Sequence, residues 1–192
     1  MRTVLALAIA AIGLGIIAVS AAVFGVRAPV HPGVVDLAWT EAKWPFPIDQ
    51  WGVGRAFACA PEDCGAKVDL YVRPKIGFCN CATGVSDDAE LERVADVELL
   101  RVRSRPAGPG RPIQVGWMRG LSRSYLAPEG AAGENVVSVA YNDQCDVVVA
   151  VARLGSGDPA VLEPAIVAFL NTNPMVLWAM AELGLEFIKR EW

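Results

Sequence analysis

Val136-Val-Ser-Val-Ala-Tyr141 and Cys145-Asp-Val-Val-Val-Ala-Val151, separated by Asn142-Asp143-Gln144, decide the fold. β-branched residues fill both segments and turn-forming residues join them, which is the pattern of a hairpin. The stretch Val147-Val148-Val149-Ala150-Val151 is apolar without alternation, so it reads as a central strand buried on both faces. Working outward, Ile113–Met118 and Ser124–Leu126 read as two further strands turning around Arg119-Gly120, and Val68–Val72 as another. Pro/Gly-rich Ser104–Pro112, turn-rich Ala127–Asn135 and Leu154–Pro159 punctuate the strands.

Helices flank this sheet. Ser86 reads as the N-cap of a short acidic helix that places Asp87 and Asp88 in its first turn and runs to about Asp96. Leu91, Val94 and Ala95 give its inner face, with Glu90, Glu92 and Asp96 expected in water. Pro159 or Pro164 opens a helix that continues through Leu170. Asn173 caps a second, with Pro174 at its first position; Val176, Met180, Leu183 and Phe187 form its burying line and Trp178 and Leu185 another. Lys189-Arg190 suits its C-terminus. Strands in the middle and helices at the end predict an α+β domain with an antiparallel sheet.

Ahead of this domain, Val4 to Val26 is an uninterrupted apolar run with no charge and no proline. As a helix, at about 1.5 Å per residue, it would be roughly 35 Å long, enough to cross a bilayer with some tilt. The expected organisation is a transmembrane anchor over 1–27, a Pro- and Trp-rich tether over 28–50 and an α+β domain over 51–192. Arg2 and the amino terminus on the short side favour an inner-membrane, single-pass topology with the domain in the periplasm. The rival expectation is a cleaved signal peptide, with Ala18-Val19-Ser20 and Ser20-Ala21-Ala22 as cut sites, although the run is long for one. Ala8, Ala11, Gly15, Ala18, Ala22 and Gly25 fall on one stripe of that helix and would let another transmembrane helix pack closely. Ala and Gly are common enough in the run that composition alone also produces such a stripe.

Pro29, Pro32, Pro45 and Pro47 keep the tether extended. Trp39 and Trp44 suit either the headgroup level or the domain edge, while Trp51 is assigned to the core. His31, the single histidine, sits in the tether as an exposed linker residue. The five cysteines are Cys59, Cys64, Cys79, Cys81 and Cys145. Outside the cytoplasm they are expected as disulfides. Cys59 and Cys64 flank a turn and can close on each other; Cys79 and Cys81 share a face if extended, so one of them reaches Cys145 and one thiol is left over. A zinc site on Cys59, Cys64, Cys79 and Cys81, or copper on the last two, is the rival reading, but the spacing is not that of paired Cys-x-x-Cys knuckles.

A net charge of −4 gives no electrostatic reason to expect nucleic acid. Within it, Arg101, Arg103, Arg105, Arg111, Arg119 and Arg123 occur with no acid between Glu98 and Glu129. They either offer a basic face to anionic groups or pair with the acidic helix and shield an edge strand; the overall acidity favours the second. The sequence has no Gly-x-Ser-x-Gly, Ser-x-x-Lys, His-Glu-x-x-His, phosphate loop or dinucleotide fingerprint, so no enzyme activity, catalytic residue or cofactor is expected.

Trp51-Gly-Val-Gly-Arg55, Gly77-Phe-Cys-Asn-Cys81 and Tyr141-Asn-Asp-Gln-Cys145 resemble a family of small proteobacterial membrane-anchored proteins with no assigned activity. The strand-rich body with a late helix is also loosely similar in topology to PsbP and Mog1-like domains, which transfers no function. The expectation is a non-catalytic accessory or interaction protein that meets the lipid bilayer and another membrane protein or complex. Alternatives are a periplasmic thiol protein handling zinc, copper or redox assembly, and an enzyme of unrecognised type.

Overall fold

The computed structural model describes residues 38–129 and 133–185. The expected anchor, its small-residue stripe, Arg2, His31 and the first part of the tether lie outside these residues, as do Phe187, Lys189 and Arg190. In chain order the elements are β1 (Thr40–Ala42), β2 (Arg55–Cys59), α1 (Pro61–Cys64), β3 (Val68–Lys75), α2 (Asp88–Val94), a 3-10 turn (Val97–Leu100), β4 (Arg105–Pro106), β5 (Arg111–Val115), β6 (Met118–Leu126), β7 (Val136–Asp143), β8 (Asp146–Arg153), α3 (Pro159–Leu170) and α4 (Asn173–Glu182).

The strands form one antiparallel sheet in the order β1-β2-β3-β8-β7-β6-β4, with β5 also on β6. β4 and β5 pair with successive parts of β6, at Tyr125–Leu126 and Met118–Ser122, so they act as one interrupted edge strand. Pro106 and Pro112 lie on that edge, where a missing N–H costs no ladder bond. The β7–β8 hairpin sits at the centre, as its apolar run predicts, and closes through a turn at Gln144-Cys145 with Gln144 at φ 53°.

Alternation along the strands sends side chains to two covered faces. On one face Leu70, Val72, Val137, Val139, Tyr141, Val148 and Ala150 pack against Leu162, Ile166 and Leu170 of α3 and Met175 and Ala179 of α4. On the other, Ala140, Val147 and Val149 meet Leu91 and Val94 of α2, and Val136 and Val151 meet Leu100. Helices that are apolar on two sides are thus seated on a sheet buried on both faces. Among the described residues no single helix is long and apolar enough to cross a membrane.

Several boundaries differ from expectation, each for a local reason. The β5–β6 hairpin turns at Gly116-Trp117, not at Arg119-Gly120. Gly120 lies inside β6 because a Cβ there would meet the carbonyl oxygen of Ala140 at 1.9 Å. The N-cap of α2 is Asp87, whose side chain accepts from the Glu90 N–H, and not Ser86. Pro159 opens α3 behind the Asp158 cap, which leaves Pro164 inside the helix. Thr172 precedes α4, which ends at Glu182. Leu100 to Arg103 alternates inner and outer side chains as a strand would, but its backbone is irregular, with Arg101 in the left-handed region. β1, inside the stretch expected as tether, pairs with β2, so the sheet begins earlier than residue 51.

The Gly120 contact is with backbone, which cannot swing aside. Gly120→Ala should lower stability by at least about 2 kcal/mol, whereas Gly108→Ala, at a position with open space around it, should leave it unchanged or slightly raised. Urea unfolding of the two variants reads the difference.

Candidate interaction site

β3 carries Asp69, Tyr71, Arg73 and Lys75 on the face opposite its apolar residues. A solvent-facing row is the ordinary outcome of such alternation, yet Arg73 and Lys75 are each 3% exposed and Asp96 is 4% exposed. Asp96, expected in water, is instead the centre of a buried ionic cluster. Arg73 donates from Nε and Nη2 to its two oxygens at 2.6 and 2.8 Å, and from Nη1 to both oxygens of Asp49 at 2.8 Å. Lys75 Nζ lies 2.8 Å from Asp96 Oδ1 and donates to the carbonyl of Val94 at 2.6 Å.

Aromatic rings roof this cluster. Trp51 and Phe78 stack with centroids 4.5 Å apart, and Lys75 Nζ lies 5.9 and 5.2 Å from them. Arg73 faces Trp44, which meets Phe46 and Tyr71 edge-on. Trp51 is therefore half-buried as a lid over Lys75, and not a core residue, while Trp39 packs on Phe169 behind α3. Gly54 makes the arrangement fit: a Cβ there would meet Val72 O at 2.2 Å and the Trp44 ring at 2.7 Å. Burial works to raise the Asp49 carboxyl, but the Arg73 guanidinium and the Trp51 N–H hold it below the ordinary range.

The cysteines divide as two bridges and one thiol. Cys59 joins Cys64 around α1, and Cys81 joins Cys145 at the β7–β8 turn. Cys79, one of the five expected among the disulfide cysteines, is the thiol left over: it is buried and its Sγ donates to the carbonyl of Gln144 at 3.2 Å. Cys79 packs inward with Val85, Leu91 and Val94 while Cys81 is exposed, because the 77–80 segment turns and does not run as a strand. Burial, with Glu90 and Asp146 nearby, pushes the Cys79 thiol up to about 11, which leaves it a poor nucleophile at neutral pH. The four sulfurs of the rival metal set are not brought together, and among the described residues no group of three or more His, Cys, Asp or Glu could hold a metal ion.

The arginine stretch separates by position. Arg123 reaches Glu92 at 2.6 Å and Asp88 at 3.4 Å, so it does pair with the acidic helix. Arg111 instead meets Glu163 of α3, which also accepts from Ser122 Oγ at 2.6 Å and Ser124 Oγ at 2.7 Å. Burial works against the Glu163 charge, but these donors outweigh it and hold the carboxyl below its ordinary value. Arg101, Arg103, Arg105 and Arg119 are exposed. Arg119 lines an open groove of about 640 Å³ with Thr83, Ser86, Ile113, Leu121 and Asn142. A guanidinium beside an apolar floor and two hydroxyls suits a carboxylate-bearing segment of a partner.

None of the clustered charges was legible as a site. Glu163 carried a signal, since a lone acid inside Pro-Ala-Val-Leu-Glu-Pro-Ala-Ile must find a partner if its helix is buried. Arg73 and Lys75 carried none, because nothing in the strand pattern tells that two distant segments cover that face. No family model and no curated protein matches the chain.

Removing the Asp96 charge leaves buried Lys75 without its carboxylate and buried Arg73 with Asp49 alone. Asp96→Asn should cost about 3–5 kcal/mol, while Glu41→Ala, which breaks an exposed pair with Arg55, should leave the urea midpoint unchanged. The pH dependence has a definite sign. Glu163 and Asp49 are depressed in the folded chain, so their stabilisation is complete above the unfolded values near 4.5 and 3.8 and is lost as pH falls through the folded ones. Glu163→Gln should flatten the loss of stability on acidification, measured as the urea midpoint between neutral and acid pH.

Proposed function

We propose that this chain is a non-catalytic accessory protein, held in the inner membrane by the helix expected over 1–27, whose periplasmic domain binds a membrane protein or complex. The observation that carries the reading is the pair of disulfides bracing a domain that follows a long apolar run. Bridges of this kind persist in oxidising compartments. The buried titratable groups support a structural role over a catalytic one: Arg73, Lys75, Asp96 and Glu163 each spend their polar atoms on partners within the fold. The Arg119 groove offers a partner an anion-selective surface, and the small-residue stripe offers a second contact within the bilayer.

Purification from native membranes, with cross-linking and mass spectrometry of partners and thiols together, tests this. The expected result is a single alkylatable thiol on denaturation, at Cys79, and cross-links from the groove to another membrane protein. Five free or metal-bound thiols would remove the compartment, and a monodisperse monomer with no co-purifying protein would remove the interaction.

A further inference from the structure

The turn at 48–53 and the turn at 76–78 meet at one end of the sheet through the Trp51–Phe78 stack. They present Ile48, Val53 and Ile76, which are 77%, 57% and 53% exposed. They are three of the six exposed large aliphatics among the described residues, and the two turns that carry them are joined by the Trp51–Phe78 contact. We propose that this rim is a second membrane contact, in which Ile48, Trp51, Val53 and Ile76 enter the headgroup–acyl boundary of the bilayer that holds the anchor. The inference rests on the anchored reading above.

Four observations favour lipid as the occupant. The exposed side chains are the aliphatic and indole types that partition at the interface. Three backbone donors of the two turns are already occupied: Gly52 N–H donates to Asp49 O, Trp51 N–H to Asp49 Oδ1 and Gly77 N–H to Asp146 Oδ1. Entry into a poorly hydrated layer therefore strands none of these donors. The cations beneath the rim, Arg73 and Lys75, are matched by Asp49 and Asp96, and Arg93 beside Phe78 by Glu90, so lipid contact leaves none of these cations unpaired behind it. The last is chain length. Residues 27–37 separate the apolar run from the described domain and, extended, reach roughly 35–40 Å. Thr40 lies opposite Ala58, only three residues along β2 from Arg55 at the rim end, about 10 Å. The link is long enough to let the rim reach the surface from which the chain emerges.

The test uses the full chain reconstituted in vesicles of phosphatidylcholine and phosphatidylglycerol, with flotation to read anchoring. Fluorescence quenching by lipids brominated close to the carbonyl, or at the chain ends, is compared between the native chain and Trp51→Phe. The expected result is flotation of every variant, quenching attributable to Trp51 that is stronger from the shallow bromine, and loss of most of it in Ile48→Asp/Ile76→Asp. Both aspartates stand at solvent-exposed positions, and the thiol count confirms that the variant folds. Flotation with no difference between native and Trp51→Phe overturns the rim contact and leaves the anchor standing. Failure to float overturns the anchor and the rim contact together. A photo-reactive residue in place of Ile76 that captures a second copy or another protein, and not lipid, also overturns it.

Discussion

The bidentate grip of Arg73 on Asp96 is the constraint from which the second face of the domain follows. Taking a guanidinium and an ammonium out of water costs several kcal/mol each, so β3 can carry Arg73 and Lys75 inward only if acids come to meet them. Asp96 arrives just after α2, and Asp49 just after Pro47. Charge balance thus acts with the apolar face of α2, Leu91 and Val94, in setting where α2 lies, and with the Trp44 and Phe46 rings in setting where the 44–51 segment lies. The remaining donors are met by Val94 O and by aromatic faces, which completes a cluster that would be unfavourable half-satisfied.

Burial leaves a readable trace only where it selects residue type at a fixed period. The β7–β8 hairpin, the apolar C-terminal helices and the antiparallel α+β class were legible for that reason, as was the closure of Cys59 on Cys64 across a short turn. Gly120 shows the opposite case. A glycine beside an arginine reads as a turn, yet the constraint is the approach of the Ala140 carbonyl from a neighbouring strand, which no local pattern records. Asp96 and β3 fail similarly. Their polar residues have the spacing of a wet face, and the cover comes from segments distant in the chain. The Glu163 cluster lies between these extremes: the acid was conspicuous in an apolar helix, but its partners, Arg111, Ser122 and Ser124, belong to an edge that sequence could not pair with it.

The sulfur chemistry reinforces the same end of the sheet. The Cys81–Cys145 bridge ties the 77–81 segment to the central hairpin turn, and the Cys79 N–H bonds the Cys145 carbonyl at 3.1 Å. The segment that carries Ile76 and Phe78 is therefore held by a covalent link on one side and by the Trp51 stack over Lys75 on the other. Cys79 completes the apolar packing beneath it, and burial pushes its thiol up, which disfavours the thiolate that exchange with the neighbouring bridge would need.

Rigidity at this place has a physical consequence. Free loops carrying isoleucine, valine and tryptophan would fold those side chains back on the domain, because water favours their burial wherever the backbone permits it. Here Asp49 is fixed by Arg73, Gly77 by Asp146 and Trp51 by Phe78, so the aliphatics stay outward. A buried ion pair adds little stability over a well-packed apolar substitute, but it specifies one geometry. An apolar rim held open at the cost of burying three charges, Arg73, Lys75 and Asp96, is intelligible if something apolar meets it.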